Sequence, residues 1–350
     1  MLAFFVLEKY MEFLVDIGSF LLKAAIIVIA VGFIIVIAVG FIIGLLAQAA
    51  QKQKKSKGDL QVTDLSKELK DLSEHLKLEL MDKKARKKAM KALKKKKPAE
   101  DKKRRLFVLD FKGSMDAKEV DNLRQEVNAI LQLATEKDEV LVRLESGGGV
   151  VNGYGLAAAQ LQRIKSNGLT LNVAIDKVAA SGGYMMACVG HKLLAAPFAF
   201  IGSIGVVAQI PNFHRFLKKH DVDFEQLTAG EYKRTLTLFG ENTDEGRRKF
   251  KQDLEAIHRQ FKAFVQENRP ELDIDKVATG EVWSGQEAKE LGLVDEVTTS
   301  DSWLLEQHKT FNVLQLNYVV RKPMSERFAK GLSTVIQTLK SSLTRSDIAQ

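Results

Sequence analysis

The spacing of hydrophobic positions changes several times along the chain, and each change marks a different segment. Residues 24–47 contain no charged side chain. As a helix rising about 1.5 Å per residue, this run would be about 36 Å long, enough to cross a bilayer core of about 30 Å. Since soluble helices rarely stay apolar on every side over such a length, the run predicts a transmembrane helix.

Residues 1–22 mix apolar and charged positions, which predicts an interfacial helix leading into the membrane. A cleaved signal peptide is the alternative, with Ala-Gln-Ala at residues 47–49 as its cleavage site. However, the apolar run exceeds the usual length of about 7 to 15 residues for such a peptide, and no basic region precedes it. We therefore interpret residues 1–50 as an uncleaved membrane anchor.

After residue 51 the hydrophobic positions narrow to one stripe of leucines. They are spaced by three or four residues and therefore share one helix face: Leu65, Leu69, Leu72, Leu76 and Leu80. About two heptads are too few for an independent coiled coil, but they suffice for a helix that packs on a neighbour. Residues 51–105 are predicted to form a helical stalk.

From residue 105 onward, short apolar runs alternate with amphipathic segments. The predicted strands are 106–111, 139–144, 171–175, 192–196 and 202–207, and the predicted helices are 117–135, 154–165 and 182–188. This order is typical of an α/β domain of stacked ββα or βαβ units, in which active residues lie where strands end and helices begin. We assign this domain to residues 106–300.

The last segment, residues 301–350, contains an alternating strand at 311–320 and an amphipathic helix at 325–343. Two placements of this helix remain open. It docks on a neighbouring subunit or the membrane surface, or it packs on its own domain.

Charge is distributed unevenly along the chain. The net charge is +9, whereas residues 51–105 alone hold 21 Lys and Arg against nine Asp and Glu, about +12. This segment lacks interleaved aromatic residues and zinc-ligand spacing, so nucleic-acid binding is not expected. Lysines beside a membrane span more often contact anionic lipid headgroups. By the positive-inside rule, they place the C-terminal side of the span in the cytoplasm.

The cysteine and histidine content argues against metal and disulfide chemistry. Cys188 is the single cysteine, which excludes an intramolecular disulfide, and its apolar neighbours predict a core residue. The six histidines show no metal-binding spacing. No metal or cofactor is therefore expected.

A serine followed by two glycines, residues 181–183, is the candidate nucleophile. Glycines let the backbone approach a substrate carbonyl, and the amide beside the serine can donate to a developing oxyanion. A second glycine turn follows an earlier strand, so Gly148 and Gly182 are candidate donors. Neither turn matches a phosphate-binding loop or the G-x-S-x-G elbow. The residues by themselves fit a tight strand-to-helix junction equally well.

A serine nucleophile needs a base. A lysine with an ordinary pKa of about 10.4 is almost fully protonated at neutral pH, so a lysine base has to be buried. Lys233, followed by apolar residues at 236–239, is one candidate among many lysines. His191 is the alternative.

Five ordered motifs resemble the signal peptide peptidase A family, and within it the SohB-type proteases. They are SGGG at 146–149, VAASGGY at 178–184, GSIGV at 202–206, GEYK at 230–233 and GEVWSGQEA at 280–288, followed by LGLVD at 291–295. The resemblance implies a crotonase-like (Clp-protease-like) α/β fold of repeated ββα units. It also implies a serine-lysine dyad, with Ser181 as nucleophile, Lys233 as general base and Ser203 orienting the lysine.

In the same resemblance, the amides of Gly148 and Gly182 form the oxyanion hole. The family usually has Ser/Thr-Pro-Gly-Gly where this chain has Ser-Gly-Gly-Gly at residues 146–149. Without proline, the backbone before the donor is no longer restricted to one φ.

The resemblance implies a single-pass endopeptidase of the bacterial inner membrane, acting on peptide or protein substrates such as signal peptides or misfolded exported proteins. The family's catalytic domain is usually drawn outside the cytoplasm, which conflicts with the charge rule. Since the chain holds one copy of the Ser181 motif, we expect a homo-oligomer in which a neighbour's Lys233 serves Ser181. The alternative is a non-catalytic membrane scaffold.

Overall fold

The computed structural model describes residues 58–95 and 104–320, together with the single positions Gly32 and Gly40. The predicted membrane span, apart from those two glycines, and the predicted helix at 325–343 lie outside the described residues. Within the described ranges, no helix combines the length and apolar character needed to cross a membrane. Residues Asp59–Val319 form one compact unit.

Two β-sheets organise this unit. The larger has strand order β1-β10-β2-β3-β4-β6-β9, with β1 antiparallel to β10 and the other pairs parallel. Its strands are β1 Asp59–Asp64, β2 Arg104–Lys112, β3 Glu139–Glu145, β4 Thr170–Ile175, β6 Lys192–Ala195, β9 Glu296–Val297 and β10 Phe311–Val319. The smaller sheet contains β5 Val178–Ala180, β7 Phe200–Gly202 and β8 Val282–Ser284.

Helices connect these strands. They are α1 Leu65–Glu79, α2 Lys83–Lys95, α3 Val120–Leu133, α4 Val151–Ser166, α5 Gly182–Ala187, α6 His214–Lys219, α7 Asp244–Asn268, α8 Ile274–Val277, α9 Gly285–Glu290 and α10 Ser300–Gln307. The larger core cluster joins one face of the large sheet to α3, α4 and α5. A smaller cluster joins the opposite face of the same sheet to α10. The sheet is therefore covered on both faces.

Strand β2 shows why the apolar runs are continuous. Phe107 and Leu109 belong to the larger core cluster, whereas Leu106 and Val108 belong to the smaller cluster with Trp303. Because successive side chains point to opposite faces and both faces are covered, a central parallel strand is apolar at every position. The mixed α/β class predicted from the sequence is confirmed.

Most predicted elements differ from the observed ones by a few residues at their ends, but the strand predicted at 202–207 is wrong. Strand β7 ends at Gly202, where φ is 111°, and the next residue, Ser203, has φ of 52°. Two consecutive residues with positive φ turn the chain out of the extended conformation. The apolar residues after Gly202 therefore form a loop instead of a strand.

The sheet includes residues from both sides of the predicted catalytic domain. Strand β1 comes from the predicted stalk and pairs with β10 from the segment after residue 301. Helix α1 starts directly after β1, where the Asp64 carboxylate accepts from the Lys67 amide at 2.9 Å. The later leucines of the stripe, Leu72, Leu76 and Leu80, are exposed.

Candidate active site

Ser181 lies at the junction between β5 and α5. Its φ of 52° and ψ of −121° are unusual for a residue with a Cβ atom. Two hydrogen bonds hold this turn: the Ser181 amide donates to the Gly202 carbonyl at 2.8 Å, and the Ala180 amide donates to the Ser146 carbonyl at 3.0 Å. A strained serine fixed from both sides fits a functional position.

Ser203 lies on the neighbouring strand end. Ala180 of β5 pairs with Gly202 of β7, so the residues that follow them, Ser181 and Ser203, lie close together. Ser203 has the same φ of 52°, and its amide donates to the Glu281 carbonyl at 2.6 Å. The structure therefore brings together the predicted nucleophile and the hydroxyl predicted to orient its base.

Gly148 and Gly182 meet beside the nucleophile. A Cβ atom built on Gly148, where φ is +88°, would lie 2.7 Å from the Gly182 nitrogen and 2.8 Å from the Ser181 Cβ. Only glycine allows this approach. The amide of Gly182 belongs to the first turn of α5, where helices leave amides without intrahelical acceptors. This arrangement is suited to an oxyanion hole.

Two further residues complete this side of the site, and the sequence did not assign them a role. The Ser146 hydroxyl lies 2.5 Å from the Tyr154 hydroxyl and accepts from the Gly148 amide at 3.1 Å. Tyr154 donates to the Ser114 carbonyl at 2.8 Å, and burial raises the pKa of its phenol. Tyr154 is the one aromatic residue of α4, and this was the available signal in the sequence.

Among the described residues, no hydrogen bond joins the predicted base, Lys233, to Ser181. Lys233 is exposed, and within the described residues its ammonium has no hydrogen-bond or ion-pair partner. It lines an open cavity of about 860 Å³. The walls of this cavity include Leu227, Arg234 and Phe239, but not Ser181.

The alternative base, His191, is placed at the wrong end of the sheet. Its Nδ1 accepts from the Leu171 amide at 3.0 Å, at the amino ends of β4 and β6. Ser181 instead lies beside Ser146, which follows the carboxyl end of β3. Burial also lowers the pKa of His191. Opposite ends of parallel strands do not meet, so His191 does not lie at Ser181 of the same chain.

A different histidine lies near the site. His258 of α7 is half-buried, and its Nε2 is 3.2 Å from the carbonyl oxygen of Ile204, next to Ser203. The charged helix around it gave no sequence signal for this contact. Among the described residues, no group of three or more His, Cys, Asp or Glu side chains is arranged to hold a metal.

The LGLVD segment at 291–295 is fixed from two sides. Arg269 forms an ion pair with Asp295 at 2.6 Å. Burial by itself would lower the pKa of Arg269, but the hydrogen bond and charge of Asp295, together with the charges of Tyr184 and Cys188, raise it above its ordinary value. The buried Tyr184 hydroxyl donates to the Leu293 carbonyl at 2.8 Å. Since Tyr184 belongs to α5, this segment supports the helix that begins at the nucleophile.

Comparison with known proteins agrees with this geometry. Residues 12–161 match the family described as "Peptidase family S49 N-terminal", and residues 163–313 match "Peptidase family S49". The chain belongs to peptidase family S49. A "Probable protease SohB" of Haemophilus influenzae is 51% identical over 304 residues, covering 82% of this chain and 86% of the relative.

Other S49 relatives give the same result. A "Probable protease SohB" of Buchnera aphidicola subsp. Acyrthosiphon pisum is 54% identical over 231 residues, which are 66% of this chain and 69% of the relative. A SohB relative from Buchnera aphidicola subsp. Baizongia pistaciae is 42% identical over 344 residues, which are 93% and 96% of the two chains. The resemblance to the SppA/SohB-type peptidases is confirmed, and these matches support a peptidase.

Proposed function

We propose that this S49 chain is a membrane-anchored serine endopeptidase with Ser181 as its nucleophile. The observation that carries the proposal is the convergence of Gly148 and Gly182 on the strained Ser181 turn. The recurring order of a main-sheet strand, a short strand and a helix, as in β4, β5 and α5, supports the crotonase-like arrangement expected from the resemblance.

The proposed reaction begins when Oγ of Ser181 attacks the scissile carbonyl carbon. As the new C–O bond forms, the carbonyl electron pair moves onto oxygen, which accepts from the amides of Gly148 and Gly182. The serine proton passes to Nζ of Lys233 and then to the departing amine as the C–N bond breaks. Water activated by the same base hydrolyses the acyl-enzyme.

We further propose that Lys233 is supplied by a neighbouring subunit. Residues 206–243 around it carry many exposed apolar side chains, including Val207, Phe216 and Leu227 at 81%, 61% and 94% exposure. Exposed apolar patches of this kind are typical of protein interfaces. A subunit that covers this segment would also remove water from the ammonium, as a lysine base requires.

A probe experiment tests whether the chain is a serine peptidase. A serine-reactive phosphonate is expected to label the full-length protein in detergent, and Ser181→Ala should abolish labelling together with peptide hydrolysis. Ser203→Ala, which removes a neighbouring hydroxyl but keeps the nucleophile, should still be labelled, at a reduced rate. Absence of labelling in the wild-type protein would favour the non-catalytic scaffold.

A mixing experiment tests the shared site. Ser181→Ala and Lys233→Ala should each be inactive, and activity should return when the two proteins exchange subunits, because mixed interfaces then contain both intact residues. Arg234→Ala serves as the control. It removes the exposed cation next to Lys233 and should stay active. No recovery despite demonstrated exchange would place both residues of the dyad in one subunit.

The membrane part of the proposal rests on the uncharged run at 24–47 and on the basic residues after it. Helix α2 has eight Lys and Arg and no acidic residue, which suits anionic lipid headgroups. The full chain should stay in the membrane pellet after an alkaline carbonate wash, and release into the supernatant would contradict an anchor. Alkaline phosphatase fused after Gln350 should be inactive if the charge rule sets the orientation; strong activity would reverse that orientation.

A further inference from the structure

A chain of buried hydroxyl groups lies behind one half of the oxyanion hole. The Gly148 amide lies 3.1 Å from the Ser146 hydroxyl, which is 2.5 Å from the Tyr154 hydroxyl. The Tyr154 hydroxyl is 2.8 Å from the Ser114 carbonyl oxygen. An amide only donates and a carbonyl only accepts, so the direction is fixed. Tyr154 donates to Ser114, Ser146 donates to Tyr154, and Gly148 donates to Ser146.

Tyr154 also contacts the other half of the hole. Its side chain is fully buried, and a Cβ atom on Gly182 would collide with its ring. The ring packs edge-on against Phe111, with centroids 6.5 Å apart. One rigid side chain therefore supports Gly182 directly and Gly148 through Ser146.

The Gly148 amide lies in a glycine pair that is open at Gly147 and closely packed at Gly148. Gly147 and Gly148 are adjacent glycines, and no other atom lies within 4 Å of the place where a Gly147 side chain would begin. Gly147 therefore has access to many backbone conformations, whereas Gly148 is packed against Ser181 and Gly182. The Ser146 hydroxyl is the acceptor that the free enzyme gives this amide.

We propose that Tyr154 is a positioning residue that, through Ser146, holds the Gly148 amide beside the oxyanion site; this inference rests on the proposed peptidase function. In the free enzyme the amide donates to a neutral hydroxyl. A negatively charged oxygen is a stronger acceptor, so it takes over this amide in the transition state. Ser146 meanwhile keeps its bond to Tyr154, and the stronger bond is gained only in the transition state.

Tyr154→Phe tests this role because it keeps the ring and removes only the hydroxyl. In the full-length protein, kcat/KM is expected to fall about tenfold, the scale of one hydrogen bond, with KM changed less than about twofold. Affinity for a peptide aldehyde should fall by the same factor, because its adduct with Ser181 places an oxygen in the hole. Affinity for a non-reacting peptide analogue should stay unchanged.

Three variants serve as controls. Ser146→Ala should reproduce the loss seen in Tyr154→Phe, whereas Ser146→Thr keeps the hydroxyl and should retain most activity. Ser300→Ala removes another buried hydroxyl, which donates to Asp176, so it reports a loss of stability alone; its aldehyde affinity should stay close to that of the wild-type protein.

The outcomes separate this inference from the proposed function. If Ser181→Ala is inactive but Tyr154→Phe keeps the wild-type kcat and aldehyde affinity, the positioning role alone is overturned. A gain in the activity of Tyr154→Phe would also overturn it. An inactive, unlabelled wild-type protein would overturn the peptidase proposal. Amide hydrogen exchange tests the positioning role without measuring activity. If the hydroxyl chain holds the Gly148 amide, Tyr154→Phe should raise the exchange rate of this amide about tenfold. An unchanged exchange rate would contradict the positioning role.

Discussion

The backbone amide of Ser181 donates to the carbonyl oxygen of Gly202 at 2.8 Å. Through this bond, the strand end that carries the proposed nucleophile is joined to the strand end that carries Ser203. Both serines have φ of 52°. The two hydroxyl-bearing turns are therefore one structural unit, and a change in either is expected to affect the reaction.

Ser203→Ala is expected to lower kcat by about tenfold or more, because the lysine base would lose the hydroxyl that orients it. Ser203→Gly is the matched variant, since it also lacks the hydroxyl but accepts positive φ, adding up to about 1 kcal/mol of stability. Steady-state kinetics and thermal unfolding measure the two effects. Equal losses in both variants assign the effect to the hydroxyl; retained activity in Ser203→Gly would assign it to backbone conformation.

Arg105→Ala should destabilise the fold by about 1–3 kcal/mol, because it leaves the buried Asp138 carboxylate without its charged partner. Burial by itself would raise the pKa of Asp138, but hydrogen bonds from Arg105 and Thr135 lower it to about 2. The ionised Asp138 carboxylate therefore stabilises the fold. This stabilisation is fully present above pH 3.8, the ordinary pKa of an Asp, and is lost as the pH falls through about 2.

Urea unfolding at neutral and acidic pH measures the effect of this pair. Arg104→Ala is the control, because its contact with Glu139 is 3.9 Å long and its side chain is 50% exposed; it should change stability by about 1 kcal/mol or less. Equal effects of the two substitutions would contradict a special role for Asp138.

Glu126 should make the fold less stable as the pH rises. Burial raises its pKa from 4.5 to about 7, with Asp110 adding to the rise and the Tyr318 amide opposing it. The folded chain holds this proton more tightly than the unfolded chain. The resulting stabilisation is therefore present below pH 4.5 and is lost as the pH rises through about 7.

Glu126→Gln should remove up to about 3 kcal/mol of this pH dependence. Unfolding of the full-length protein at pH about 5 and about 8 checks it on either side of the shifted pKa. Asp121→Asn, on the same helix with a side chain that is 79% exposed, is the control and should leave the pH dependence intact. A wild-type profile in Glu126→Gln would rule out this carboxyl group as the source.

Cys188 should be unreactive in the folded protein. Its side chain is fully buried, and burial raises the pKa of its thiol to about 12, while the charge of Arg269 opposes the rise. Thiol reagents attack the thiolate, so modification by Ellman's reagent should require denaturant. Because the chain has one cysteine, the colour change is unambiguous, and rapid labelling without denaturant would contradict this burial.

The sequence by itself determined the elements and the chemistry of the turns. The apolar runs at 106–111 and 171–175 predicted strands, and the glycines after Ser181 marked the turn at the nucleophile. These are local signals, since side-chain periodicity and glycine conformation act within a few residues. The five motifs, also read directly from the chain, identified the family.

Only the tertiary structure decided which distant residues meet. Strand β1 pairs with β10, Gly148 reaches Gly182, Ser146 binds Tyr154, and Lys233 lines a cavity whose walls do not include Ser181. Such contacts depend on strand order and register, which local periodicity does not encode. The hydroxyl chain behind Gly148 could therefore not be predicted from the sequence. Its donors and acceptors come together only when β3, α4 and the loop at Ser114 pack around the buried ring of Tyr154.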